Sequence, residues 1–227
     1  MKAEDIAMFL RSHPQFFDQH PGLLETIHVP HPYGGRAIPL AERQAVALRE
    51  KVKLAEGKLA ELIHFGKENE AISEKVQRLA VALVGARDFP ALAQSLYFHL
   101  REDFAVPHVA LRVWGKSVPM DFQEAEAVEE SQRRFAEGMG APQCGPASSA
   151  PPGNPFIPWF RDAAEHVRSL ALVPLGAAGQ ERAVFGLLAL GSEDPQRFYP
   201  EMGTLYLRRI GELCAAGVSA RLLIFRN

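Results

Sequence analysis

The sequence predicts an α+β fold in which helices flank a small antiparallel sheet, preceded by a helical N-terminal region with one long coiled-coil-like helix. Three observations carry this. From residue 39 to 83, apolar or small residues recur at alternating steps of three and four (Ala45, Leu48, Val52, Ala55, Leu59, Leu62, Gly66, Asn69, Ser73, Val76, Ala80, Leu83), the heptad seam of a helix that pairs with another. Two continuous apolar runs, 169–175 and 182–190, flank a glycine-bearing turn at 176–181, which is the signature of a hairpin. The order of elements is helix, strands, insert, strands, helix, and this is not a βαβ pattern.

The predicted domains are 1–37, short helices and a turn; 38–84, the long helix; and 85–227, the α+β domain with an insert at 121–168. Residues 4–27 read as two short helices with Ile6, Phe9, Leu10, Phe16, Phe17, Leu23 and Leu24 as the buried set. They are interrupted at His13-Pro14 and His20-Pro21, where proline excludes continued helix, and Ser12 and Asp18 are placed as caps. Residues 29–35 hold two prolines and two glycines and form a turn.

The long helix, about 60 Å for about 40 residues, exceeds what the following domain covers, so a second copy of the same helix is the simplest way to bury its stripe. Leu48, Val52, Leu59, Leu62, Asn69 and Val76 are assigned to that homodimer seam. Opposite charges three or four residues apart, such as Lys58 with Glu61 and Glu74 with Arg78, solvate the outer face. From Leu62 onward a second register (Phe65, Asn69, Ile72, Val76, Leu79, Leu83) reads better, which turns the apolar face toward the following domain.

Residues 88–102 form an amphipathic helix with Leu92, Leu96, Phe98 and Leu100 apolar and Phe89-Pro90 at its start. Val109, Leu111 and Val113 alternate with Ala110 and Arg112, the period of a half-buried strand, and Gly115-Lys116 turns it back into a strand at 117–120. The insert contains an acidic helix at 122–138 and a loop with six prolines between Pro142 and Pro158. So long a connection is expected to be a lid over one face of the sheet. A closing helix at 200–225 presents Leu205, Ile210, Leu213, Cys214, Gly217, Val218 and Leu222 on one face.

Composition narrows the function. The 227 residues carry a net charge of −2, and without a dense Lys/Arg block no direct nucleic-acid binding is expected. The acidic start is unlike a secretory signal, and the apolar runs are too short to span a bilayer. Cys144 and Cys214 are the only cysteines, too few for a disulfide framework. The expectation is a cytoplasmic protein without membrane contact. No kinase or helix-turn-helix pattern is read in these residues, so the expectation is that any output passes through a separate molecule, a protein effector being one candidate.

The run Phe185-Gly186-Leu187-Leu188-Ala189-Leu190-Gly191-Ser192, with Phe198-Tyr199 and a terminal helix, resembles the last strand and closing helix of GAF domains. The N-terminal run 16–24, then Pro30-His31, Gly34-Gly35, 40–44 and Leu48-Arg49, is similar to the bacterial family catalogued as domain of unknown function four hundred and eighty-four. The resemblance implies a GAF-like domain and supplies no activity. The Asn, Lys, Phe and Asp-Glu signature of cyclic-nucleotide-binding GAF domains cannot be laid onto this sequence. Bilin-binding GAF domains use a Cys-His pair, whereas Cys144 is followed by Gly145.

Phe156, Trp159 and Phe160 cluster at the end of the lid, and with Arg112 or Trp114 on the facing wall they outline a small-molecule pocket; the same aromatics equally serve as ordinary core. Cys144, at the start of the lid, is the one candidate thiol, and GAF-like methionine-sulfoxide reductases use cysteines in their lid region, while inert packing is the plainer reading. His13, His20, His28 and His31 lack the spacing of a metal set, so no metal is assigned, and no cofactor is named. Arg208, Arg209, Arg221 and Arg226 form a modest basic helix face, read as a solvated surface open to pairing with Glu124, Glu126, Glu129 and Glu130 rather than as a phosphate-binding patch. The leading expectation is a non-enzymatic homodimeric sensor or regulatory module with a small-molecule ligand. The alternatives are a protein-interaction scaffold with a self-filled pocket and a thiol-dependent redox enzyme using Cys144.

Overall fold

Prolines at 14 and 21 cut the N-terminal segment into three helices rather than two: α1 (Ala3–Ser12), α2 (Phe16–Gln19) and α3 (Gly22–Thr26). The computed structural model describes residues 2–29, 38–115, 121–147, 154–176 and 184–222. It divides into two compact units, 1–68 and 69–227. In the first, β1 (His28–Val29) pairs antiparallel with β2 (Ile38–Pro39), a pairing the sequence did not signal. The predicted turn between them, apart from Val29, lies outside the described residues.

The expected buried set of this unit is not a core. Ile6 and Phe9 are exposed, and Leu10, Phe16, Phe17, Leu23 and Leu24 are only half-buried, because helices of four or five residues present too little surface to cover one another. Ser12 does not cap a following helix; its hydroxyl donates back to the Met8 and Phe9 carbonyls. Asp18 lies inside α2 rather than before it.

The heptad segment is one continuous helix, α4 (Leu40–Gly85). Leu48, Val52, Leu59 and Leu62 are each more than half exposed. The change of register is present: Leu79 and Leu83 are buried and Val76 packs partly buried against the same cluster. Val76, assigned by spacing to the dimer seam, therefore belongs to its own domain.

Asp88 caps α5 (Phe89–Glu102), accepting a hydrogen bond from the Ala91 amide at 2.9 Å, with Pro90 in the first turn. After β3 (His108–Val113) come a 3-10 turn (Gln123–Ala125), α6 (Glu130–Glu137), β4 (Gln143–Pro146) and a 3-10 segment (Ile157–Ala163). Then β5 (Ser169–Gly176) and β6 (Val184–Ser192) pair antiparallel as predicted, and α7 (Leu205–Leu222) closes the described chain. The sheet order is β3-β6-β5-β4, every pair antiparallel. The acidic helix of the insert is shorter than expected, and β4 is an unanticipated strand within it. The predicted strand at 117–120, most of the β5–β6 turn and Arg226 lie outside the described residues.

Both faces of the sheet are covered. Against one lie the end of α4, α5 and α7, through Leu83, Leu92, Leu96, Ile210, Cys214 and Val218. Against the other lies the insert, through Val128, Ala136, Met139, Phe156 and Phe160. β3 is for this reason not half-buried: Ala110 and Arg112, on the alternate face, are buried too. Phe98 and Leu205, read as apolar-face residues of α5 and α7, are exposed. Among the described residues no helix is long and apolar enough to cross a membrane.

Candidate functional site

The covered face built by the insert gathers most of the candidate side chains, and β3 places the first. Arg112 is 3 % exposed. Its Nη1 donates to its neighbour's carbonyl, Leu111, at 3.0 Å, and its Nη2 to Glu126 Oε2 at 2.7 Å. Its guanidinium carbon lies 5.6 Å from the Trp159 ring centroid, a cation–π contact in a desolvated setting. Arg161 also donates to Glu126, so one half-exposed carboxylate is shared by two guanidiniums. Arg161 adopts φ 52° within its 3-10 segment, a strained backbone for a residue with a Cβ.

The aromatics pack on each other. Phe156 is 1 % exposed and meets Trp159 edge-on at 5.2 Å between centroids, with Phe135 on its other side at 5.4 Å. Phe160 presses against β6 so closely that a Cβ on Gly191 would sit 3.1 Å from its ring. The Trp114 indole N–H donates to the Val184 carbonyl at 3.1 Å, which satisfies its single donor.

Cys144 is not among them. It lies on β4 and packs, partly buried, against the cluster on the opposite face. Burial pushes its thiol up, and the buried Cys214 thiol is pushed up to about 12, whereas an activated thiol is lowered. The histidines do not converge either: His13 Nδ1 bonds the Phe9 carbonyl and His28 Nδ1 the Thr26 carbonyl, while His31 lies outside the described residues. Among the described residues no group of three His, Cys, Asp or Glu side chains is arranged to hold a metal ion.

Among the described residues no ion pair joins the closing helix to the acidic insert. Glu126 goes to Arg112 and Arg161, Glu130 to Arg134 and Glu124 to the Tyr97 hydroxyl. Arg221 turns to backbone carbonyls at the end of α4. The Tyr97–Glu124 pair, at 2.8 Å, had no signal in the sequence. Tyr97 reads there as one more residue of an amphipathic helix, and Glu124 as one of several solvated acids.

A curated relative, "Uncharacterized protein YigA" of Salmonella typhimurium, is 24% identical over 208 residues, covering 89% of this chain and 84% of the relative. The GAF domain of nlh2 from A. aeolicus, solved in an inactive state, is similar with a TM-score of 0.46 at 12% identity, covering 67% of this chain and 98% of that one. A free methionine-R-sulfoxide reductase from Neisseria meningitidis, solved in complex with its substrate, is similar with a TM-score of 0.46 at 19% identity, covering 67% and 92%. The family model described as "Protein of unknown function, DUF484" matches residues 1–221, and the chain belongs to that family.

Proposed function

We propose that this protein is a non-enzymatic, homodimeric regulatory module: two copies pair along the first half of α4, and each α+β domain offers its surface to a separate protein. The observation that carries this is the row Leu48, Val52, Leu59 and Leu62, all more than half exposed on one helix at heptad spacing. Burying such a side chain is worth about 1.5–3 kcal/mol, and two copies of the row supply that burial to each other. Sedimentation equilibrium at micromolar concentration is expected to give a dimer. The double variant Leu59→Glu/Leu62→Glu is expected to shift it toward monomer with helix content kept. A monomeric parent protein overturns the reading.

Between sensing and scaffolding, the packing on the insert side favours scaffolding. Phe156 and Phe160 are buried there, Trp159 caps the Arg112 guanidinium and Glu126 neutralises it. These buried side chains occupy part of the space a ligand would take under the lid, and that supports the scaffold reading.

A further inference from the structure

Between α5 and the segment leading into the 3-10 turn at Gln123–Ala125 there is a cleft of about 490 Å³, wholly within the second unit. Its volume falls in the range of small-molecule sites. Ala93 and Phe122 supply apolar wall, and Phe98 stands at the mouth, 59 % exposed. Phe122 is held by the Phe89 ring, 5.0 Å between centroids. Exposed Arg101 also borders the cleft, its guanidinium carbon 6.0 Å from the centroid of Tyr97.

The unusual group in this cleft is Glu124. It is 8 % exposed, and its Oε1 accepts from the Tyr97 hydroxyl at 2.8 Å. Among the described residues, no Lys, Arg or His nitrogen lies within 4.0 Å of its carboxylate. The buried cation whose charge reaches Tyr97, Arg112, is committed to Glu126 and to the Leu111 carbonyl. A buried carboxylate supported by one neutral hydrogen-bond donor is costly, and the cost is met when a cation binds it. Burial first, and then the Glu124 charge, hold the Tyr97 hydroxyl well above the ordinary tyrosine range, so it stays a donor at any physiological pH.

We propose that this cleft binds a small organic amine, its ammonium on the Glu124 carboxylate and its apolar body against Phe98 and Phe122. A charged nitrogen gains both a charge-assisted hydrogen bond and the faces of nearby rings. The proposal is independent of dimerisation, since every residue it uses lies within one unit of one chain.

The test uses the full chain and phenethylamine as probe, followed by ligand-detected saturation-transfer NMR up to millimolar concentration. 3-Phenylpropionate, with the same ring and the opposite charge, is the control. Saturable binding of the amine is expected, and Glu124→Gln, which keeps an acceptor for Tyr97, is expected to weaken it about tenfold or more. Phe98→Ala, at an exposed position that leaves the core intact, is expected to weaken it several-fold and keeps the test decisive if the Gln variant is unstable. No saturable amine binding, unchanged binding in a folded Glu124→Gln variant, or equal binding of phenylpropionate overturns the proposal.

Discussion

Arg221 donates from Nη2 to the Leu83 carbonyl at 2.7 Å, and the same guanidinium reaches the carbonyls of Val84 and Ala86. These are backbone oxygens at and just beyond the end of α4, where a helix leaves carbonyls without partners and carries partial negative charge. One side chain on α7 thereby fastens the end of α4, while Leu79 and Leu83 fill the core beneath.

Arg221→Ala is expected to destabilise the domain by about 2 kcal/mol, the scale of a lost charge-assisted bond set with buried acceptors left behind. Arg221→Lys should recover only part of this, because a single ammonium cannot span three carbonyls as a planar fork does. Urea unfolding followed by circular dichroism measures both.

Two glycines of α7 are expected to differ. A Cβ on Gly211 would lie 2.5 Å from Val173 Cγ1, a buried branched side chain on β5, and on Gly217 it would lie 2.7 Å from Leu92 Cδ1, the far end of a flexible one. Gly211→Ala should cost about 1–3 kcal/mol through overpacking. At Gly217, small movement of Leu92 and the helix preference of alanine, about 1 kcal/mol over glycine, should leave the change near zero. Comparing the two thermal midpoints tests this.

Acid stability should depend on Asp103. The hydrogen bond from His99, then that from Arg78, hold its carboxyl below the usual aspartate value of 3.8. A depressed folded value means the contribution is present above the unfolded value and is lost as pH falls through the folded one. Asp103→Asn should therefore lower stability at neutral pH, by no more than about 1 kcal/mol since water screens the pair. The gap between variant and parent should close below pH 3.8. Denaturant titrations across that window measure it.

The thiols should be sluggish. With burial raising both cysteines, Cys144 should alkylate near neutral pH more slowly than a free thiol, and Cys214 should react only after unfolding. Mass spectrometry of the iodoacetamide-treated protein reads each site; rapid native labelling of Cys144 would revive the thiol-enzyme alternative.

The parts of the fold that were legible in the sequence share one property: their signal is carried by many side chains at once. The β5–β6 hairpin reads from two unbroken apolar runs, and the register change in α4 reads from Ile72, Leu79 and Leu83 together. β4 was missed because Gln143-Cys144-Gly145-Pro146 has no strand character of its own; it is held by backbone pairing to β5 at the margin of the sheet. Phe98 was misread because it sits two residues from Leu96 and from Leu100, which puts it on the other side of that helix. Alternation left open what Arg112 faces, since period two cannot reveal a second covering layer. The convergence of Arg112 with Trp159 was foreshadowed, whereas Glu126 and Glu124 were hidden among acids of the same run.

The carbonyl of Leu111 has a wider consequence. It accepts from Arg112, and among the described residues β3 is an outermost strand. A bare outermost strand invites a neighbouring molecule to add to it, the first step of fibrous aggregation. Here one side chain already occupies a backbone acceptor at mid-strand, and among the described residues the opposite margin is only four residues long and ends in proline. Both devices disfavour growth of the sheet by strand addition.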